Sequence, residues 1–210
     1  METAMIDEKI KTKFGAAVIQ ALTDFARTGI PDPAKMDTKW FEHIHDTTVR
    51  EAVCDTFYGA RWHYKTGLAL LVDKRERYAH VRAQVIDYAS ICETLLVEMI
   101  IHGVDKAKLS KQQYQFIDFQ QTKSLSWRKS IRTTAEKQTF AWYIRVAQEE
   151  GVIDAKLATD LEGLRTLRNT VHITERAKKS NAYSLQVSDD AFKVMQRTIN
   201  QTKSWFNRNK

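Results

Sequence analysis

Glycine and proline are scarce in this chain, with 7 and 2 respectively among 210 residues. Both prolines fall in one loop, GIPDP (29–33). So few breakers argue against a fold of many tight turns and for long helices. Cysteine is scarce too. Cys54 and Cys92 lie 38 positions apart and form no CxxC or metal-type spacing. That pattern suits a reducing, cytoplasmic setting better than a disulfide scaffold. Long apolar runs are missing. The longest candidate, ETLLVEMIIHGV (93–104), carries two glutamates and falls short of the ~20 residues of a membrane span. The N-terminal METAMIDEKIKTKF is charged and lacks the apolar stretch of a signal peptide. No membrane partner is expected. Alternating apolar–polar runs and internal repeats are also nearly absent.

What is present is an ordinary globular composition, 43% hydrophobic, with 33 Lys and Arg against 26 Asp and Glu. The balance of +7 points weakly to an anionic partner. Apolar residues recur at helical spacing over 5–27, from about Asp37 or Thr48 to Leu71, and over 74–102. In the third region Val81, Val85, Tyr88, Cys92, Leu95 and Met99 are spaced 4, 3, 4, 3, 4, which is a bundle seam, and Gly103 is a candidate C-cap. Residues 104–132 read as a short helix and a basic connection. Helices are expected over 134–150, ending at Gly151, and over 154–173. Residues 174–187 read as a loop, with a short strand as one option. Ser188 with Asp189 and Asp190 is the expected start of a last helix to Phe206. The predicted fold is all-α: an up-and-down helical bundle over 73–210 with an N-terminal helical elaboration over 1–72, the two forming one compact unit.

The stretch LRTLRNTVHI (164–173) carries the candidate chemistry. At 100° per residue, Leu157, Leu161, Leu164, Leu167 and Val171 share one face. Arg165, Arg168 and His172 line one flank of it, with Asn169 beside them toward solvent. Histidine can move a proton near neutral pH. Guanidinium groups grip phosphate oxygens with paired hydrogen bonds. Such a set could hold and cleave a phosphodiester without a metal. The plainer alternative is that the arginines drape their stems over apolar neighbours and complement the helix dipole.

Other residues admit a functional and a plainer reading alike. Glu93 interrupts a second apolar stripe, Ile86, Ala89, Leu96 and Ile100, so a buried partner is expected for it: either the basic flank or a structural arginine. His43 and His45 are two apart and point to different sides of a helix, a poor metal pair. His63, His80 and His102 read as structural or solvated. The aromatic run FYGARWHY (57–64) reads as core, with base stacking beside Arg61 and Lys65 as the alternative. Arg176, Lys178 and Lys179 form a basic patch directly after His172, where they could guide an RNA backbone.

The Arg-x(4–6)-His pattern resembles the signature of the HEPN superfamily of helical-bundle domains. Arg165 matches the spacing to His172, and Arg168 matches the Arg-Asn dipeptide, so either can be the principal arginine. The runs GVIDAKLATDLEGLRTLRNTVHI (151–173) and DYASICETLLVEMI (87–100) are similar to the two helices that carry the family's motif and its upstream glutamate. The resemblance covers roughly 74–207. It implies a metal-independent, cofactor-free endoribonuclease acting in toxin or antiviral defence, or a catalytically inactive relative that binds RNA or a partner protein. It also implies a homodimer with residues 164–173 near the two-fold, and a cognate antitoxin or defence partner. Thr174 stands where toxins paired with a nucleotidyltransferase antitoxin usually carry tyrosine, which argues against that pairing.

Overall fold

The computed structural model describes residues 9–109, 130–170 and 183–209, together with two short strands between the first two of these segments. The described chain is an all-α bundle with one added hairpin. Its helices are α1 (Ala16–Arg27), α2 (Pro33–Lys39), α3 (Thr47–Ala69), α4 (Lys74–Asp105), α5 (Ile131–Glu136), α6 (Phe140–Glu149), α7 (Ala155–Asn169) and α8 (Leu185–Arg208).

α4 is the spine. Its 32 residues span about 48 Å. The seam Val81, Val85, Tyr88, Cys92, Leu95 and Met99 is fully buried, as its spacing demands. α3 and α8 make the most extensive contacts with it, and α5, α6 and α7 cover the remainder. One core cluster runs from Met36 to Phe206, so the α2 and α3 regions share a core with the later helices. Arg132 on α5 clamps the almost buried Glu98 of α4 through paired bonds of 2.7 and 3.1 Å. The same guanidinium lies 3.5 Å from Asp46, the cap of α3. Among the described residues no helix is long and apolar enough to cross a membrane.

Several boundaries differ from the sequence reading. The first helix is interrupted at Gly15, whose φ of 79° lies in the left-handed region, and its periodic residues Ile10, Phe14, Val18 and Phe25 are exposed. The expected 134–150 helix is two helices, because Thr139 caps a new one by accepting a bond from Trp142 N at 3.2 Å. In the 104–132 region, strands β1 (Gln115–Asp118) and β2 (Gln121–Ser124) pair antiparallel. Four-residue strands are too short to show a period in a sequence window. Gly103 lies inside α4 rather than capping it. A Cβ there would meet Leu109 at 2.5 Å and Trp205 at 3.1 Å, so glycine is required by packing. Ser184, not Ser188, caps α8. Residues 185–187 of the expected 174–187 loop form the first turn of α8, while 174–182 lie outside the described residues, and the helix expected to reach Ile173 ends at Asn169 with Thr170 as its cap.

Candidate functional site

α7 begins at Asp154, whose carboxylate accepts a bond from Leu157 N at 2.7 Å. Leu157, Leu161 and Leu164 then bury its apolar face against the spine. That burial fixes the rotation of the helix and leaves Arg165 and Arg168 half-buried at its edge, with Asn169 exposed. The wheel placed both arginines on one flank, but packing separates them. Arg168 crosses to α4 and meets Glu93, Nη1 to Oε2, at 2.9 Å. Arg165 stays on its own helix and bonds Glu162 through Nε at 2.7 Å.

The Glu93–Arg168 pair is only partly solvated, its side chains 25% and 34% exposed. Burial pushes the Glu93 carboxyl above its ordinary value, and the nearby guanidinium pulls in the other direction without overcoming it. Arg168 stands in the last turn of α7, where the helix dipole favours a cation. A guanidinium held on one edge by a carboxylate keeps N–H donors for a phosphate on another.

Beyond Asn169 the chain turns at the buried Thr170. Its hydroxyl donates to Leu167 O at 2.6 Å and shares a bond of 2.6 Å with the Tyr183 hydroxyl. Tyr183 in turn packs edge-on against Tyr78 of α4, 4.6 Å between centroids. Thr170 and Tyr183, which flank residues 171–182, are thereby tied together beside Tyr78 of the spine. His172, Arg176, Lys178 and Lys179 belong to that segment and lie outside the described residues.

Two titratable groups escaped the sequence reading. Tyr143 on α6 is buried and donates to Ala135 O at 2.9 Å. Its pKa is pushed up to about 12 by burial first, then by the charges of Glu93 and Glu136, which puts it close to the pair. Asp87 on α4 is half-buried, and burial pushes it up to about 6. Neither shows a sequence signal beyond a polar group next to an apolar stripe.

The other candidates stand apart from the pair. His43 is buried, its Nε2 3.0 Å from Thr202 Oγ1. His45 is exposed and stacks on His102 at 5.1 Å; the HxH stands between α2 and α3 rather than on a helix, and both its rings pack near Phe206, 6.3 and 5.1 Å between centroids. Among the described residues no three His, Cys, Asp or Glu side chains come together to hold a metal. In the aromatic run, Phe57 is core while Trp62 is 38% exposed. Arg61 stacks on Tyr64 and Phe192, 4.9 and 4.6 Å from the ring centres. A cavity of about 860 Å³ between α7 and α8, lined by Trp40, Lys156, Asp160 and Arg197, lies away from the Glu93–Arg168 pair.

No family profile, curated protein or solved structure matches the chain.

Proposed function

We propose that this chain is a metal-independent endoribonuclease of the HEPN type, a homodimer serving toxin or antiviral defence beside a cognate antitoxin or defence partner. The observation that carries the reading is the Glu93–Arg168 contact. A carboxylate of the spine meets the arginine of the Arg-Asn dipeptide, at the end of the helix that leads to His172. In the mechanism the ribose 2′-hydroxyl attacks the scissile phosphate. His172 moves a proton, from the 2′-hydroxyl or to the departing 5′-oxygen. Arg168 and Arg165 stabilise the phosphate charge, Asn169 orients it, and Glu93 holds Arg168. The 2′-O–P bond forms as the P–O5′ bond breaks, leaving a 2′,3′-cyclic phosphate and a 5′-hydroxyl. Arg176, Lys178 and Lys179 attract the RNA backbone.

The test is cleavage of total RNA with and without EDTA. Activity should survive EDTA and vanish on a substrate whose scissile 2′-hydroxyl is replaced by hydrogen. His172→Ala should slow it by about 10²–10⁴. Activity only with added divalent metal, or an unimpaired His172→Ala, would overturn the mechanism. One observation favours a second reading, a catalytically inactive HEPN-like module that binds RNA or a partner. Both arginines already carry carboxylate partners. Retention of RNA in a gel shift with no cleavage would select it.

A further inference from the structure

The groove between α7 and α8 is lined by side chains of four kinds: an aromatic ring, amides, cations and carboxylates. Its volume of about 860 Å³ lies within the roughly 300–1,000 Å³ of ligand clefts. Trp40, at the end of α2, contributes the ring. That ring is half-buried and stands at 79° to both Phe41 and Phe57, so packing fixes its plane. From α8 come Lys193, Gln196, Arg197 and Asn200, whose spacing puts them on one helix face. Arg197 reaches Asp160 of α7 at 2.6 Å, and Lys193 holds Asp189 at 2.5 Å. Asp190 accepts a bond from Gln186 Nε2 at 2.8 Å. The side chains of Lys156, Gln196 and Asn200 are exposed and hold no hydrogen bond or ion pair among the described residues. Neither the fold nor the proposed cleavage chemistry uses these three.

We infer that this groove binds a nucleotide. Such a ligand has four parts, and each has a counterpart here. The flat base stacks on the indole of Trp40. The edge of the base carries donors and acceptors that Asn and Gln amides match, and Gln196 and Asn200 stand one turn apart in the same groove. The phosphate takes the unpaired ammonium of Lys156. The ribose hydroxyls donate to Asp190, as a ribose does to the carboxylate of dinucleotide sites. Other occupants fit worse. A bare polyanion would leave Trp40 unused and meet the carboxylates of Asp160 and Asp190. An amphipathic helix needs an apolar floor, and the α8 face here is polar. The nucleotide can be free or the unit of an RNA strand, since both present the same base, ribose and phosphate. The inference goes beyond the ribonuclease reading. The groove lies away from the Glu93–Arg168 pair, and binding there requires no cleavage.

Calorimetric titration of the full chain with adenosine 5′-monophosphate tests it. Saturable binding should appear below about 1 mM. Lys156→Glu changes an exposed residue in the first turn of α7, where an anion is favoured, so the variant should fold. It should weaken binding of the monophosphate at least about tenfold and leave binding of adenosine unchanged. Removing both ribose hydroxyls from the ligand should cost the wild type about tenfold, and Asp190→Asn should narrow that difference. A second titration uses an RNA trimer methylated at the 2′-oxygens of its first two riboses, which leaves no 2′-hydroxyl to attack its linkages. A trimer that binds more tightly than the monophosphate makes the groove a strand-holding surface, and equal binding makes it a free-nucleotide site. No saturable binding of either ligand up to about 1 mM would overturn the inference. So would binding that inorganic phosphate displaces as well as the monophosphate does, or binding that neither substitution changes.

Discussion

At Glu93 a single carboxylate sits among apolar positions of the spine, and that anomaly is readable without a structure. A charge in an apolar stripe needs a partner. Which partner is a different matter. Arg165 and Arg168 occupy the same flank on a wheel, and only the packing of α7 on α4 sends one across and leaves the other on its own helix. The raised Glu93 pKa means that the fold favours the protonated form. Its contribution is favourable at low pH and is lost as pH rises from the ordinary value of 4.5 through the raised one. Glu93→Gln keeps an acceptor for Arg168 and removes that dependence. Urea unfolding over a pH series should show the variant gaining on the wild type across this window and level above it. At neutral pH the two should differ by no more than about 1 kcal/mol. Cleavage per folded molecule should nevertheless fall, because Arg168 loses the charge that orients it.

At the scale of elements, the interiors of long helices were legible and their ends were not. The seam of α4 declares itself by spacing alone. Caps are different, because several polar residues compete for each one and the winner depends on what packs nearby. Ser188 followed by two aspartates reads as a helix start. In the fold, Ser188 lies one turn inside α8, buried, donating its hydroxyl to Gln84 Oε1 on α4. Ser184 takes the cap by accepting from Val187 N at 3.4 Å. Ser188→Ala should therefore leave the helix start intact and strand a buried amide oxygen. The expected loss is about 1–3 kcal/mol in urea unfolding, with far-ultraviolet helicity unchanged. A drop in helicity with little loss of stability would instead restore the cap reading. Gly103 teaches the same lesson, since close packing against Leu109 and Trp205 leaves no trace in the local sequence.

For the whole molecule, all-α architecture follows from the scarcity of breakers, but the convergence of the helices on α4 does not. Wheel positions name a buried face without naming what covers it. That covering decides how the protein responds to acid. His43 is fully buried against Thr202 on α8, and its Nδ1 has no partner. Burial first, then Lys203, lowers it from 6.5 to about 4, with Glu42 opposing and His45 adding to the fall. A depressed histidine stabilises the fold above the unfolded value, and that stability is lost as pH drops from 6.5 toward 4. His63 and His102 are lowered too and carry the same sign. Asp87 carries the opposite one. Burial raises it from 3.8 to about 6, so its ionisation is a cost at neutral pH that acid relieves. In the wild type these opposed terms only partly offset, and stability should fall modestly between pH 7 and pH 4.5. Single substitutions should unmask them. Going from pH 7 to pH 4.5, His43→Gln should gain on the wild type by about 2–3 kcal/mol. Asp87→Asn should lose ground by about 1–2 kcal/mol, the smaller figure reflecting partial solvent screening. Urea midpoints at the two pH values measure both, and parallel curves for wild type and His43→Gln would show that His43 is protonated in the fold without penalty.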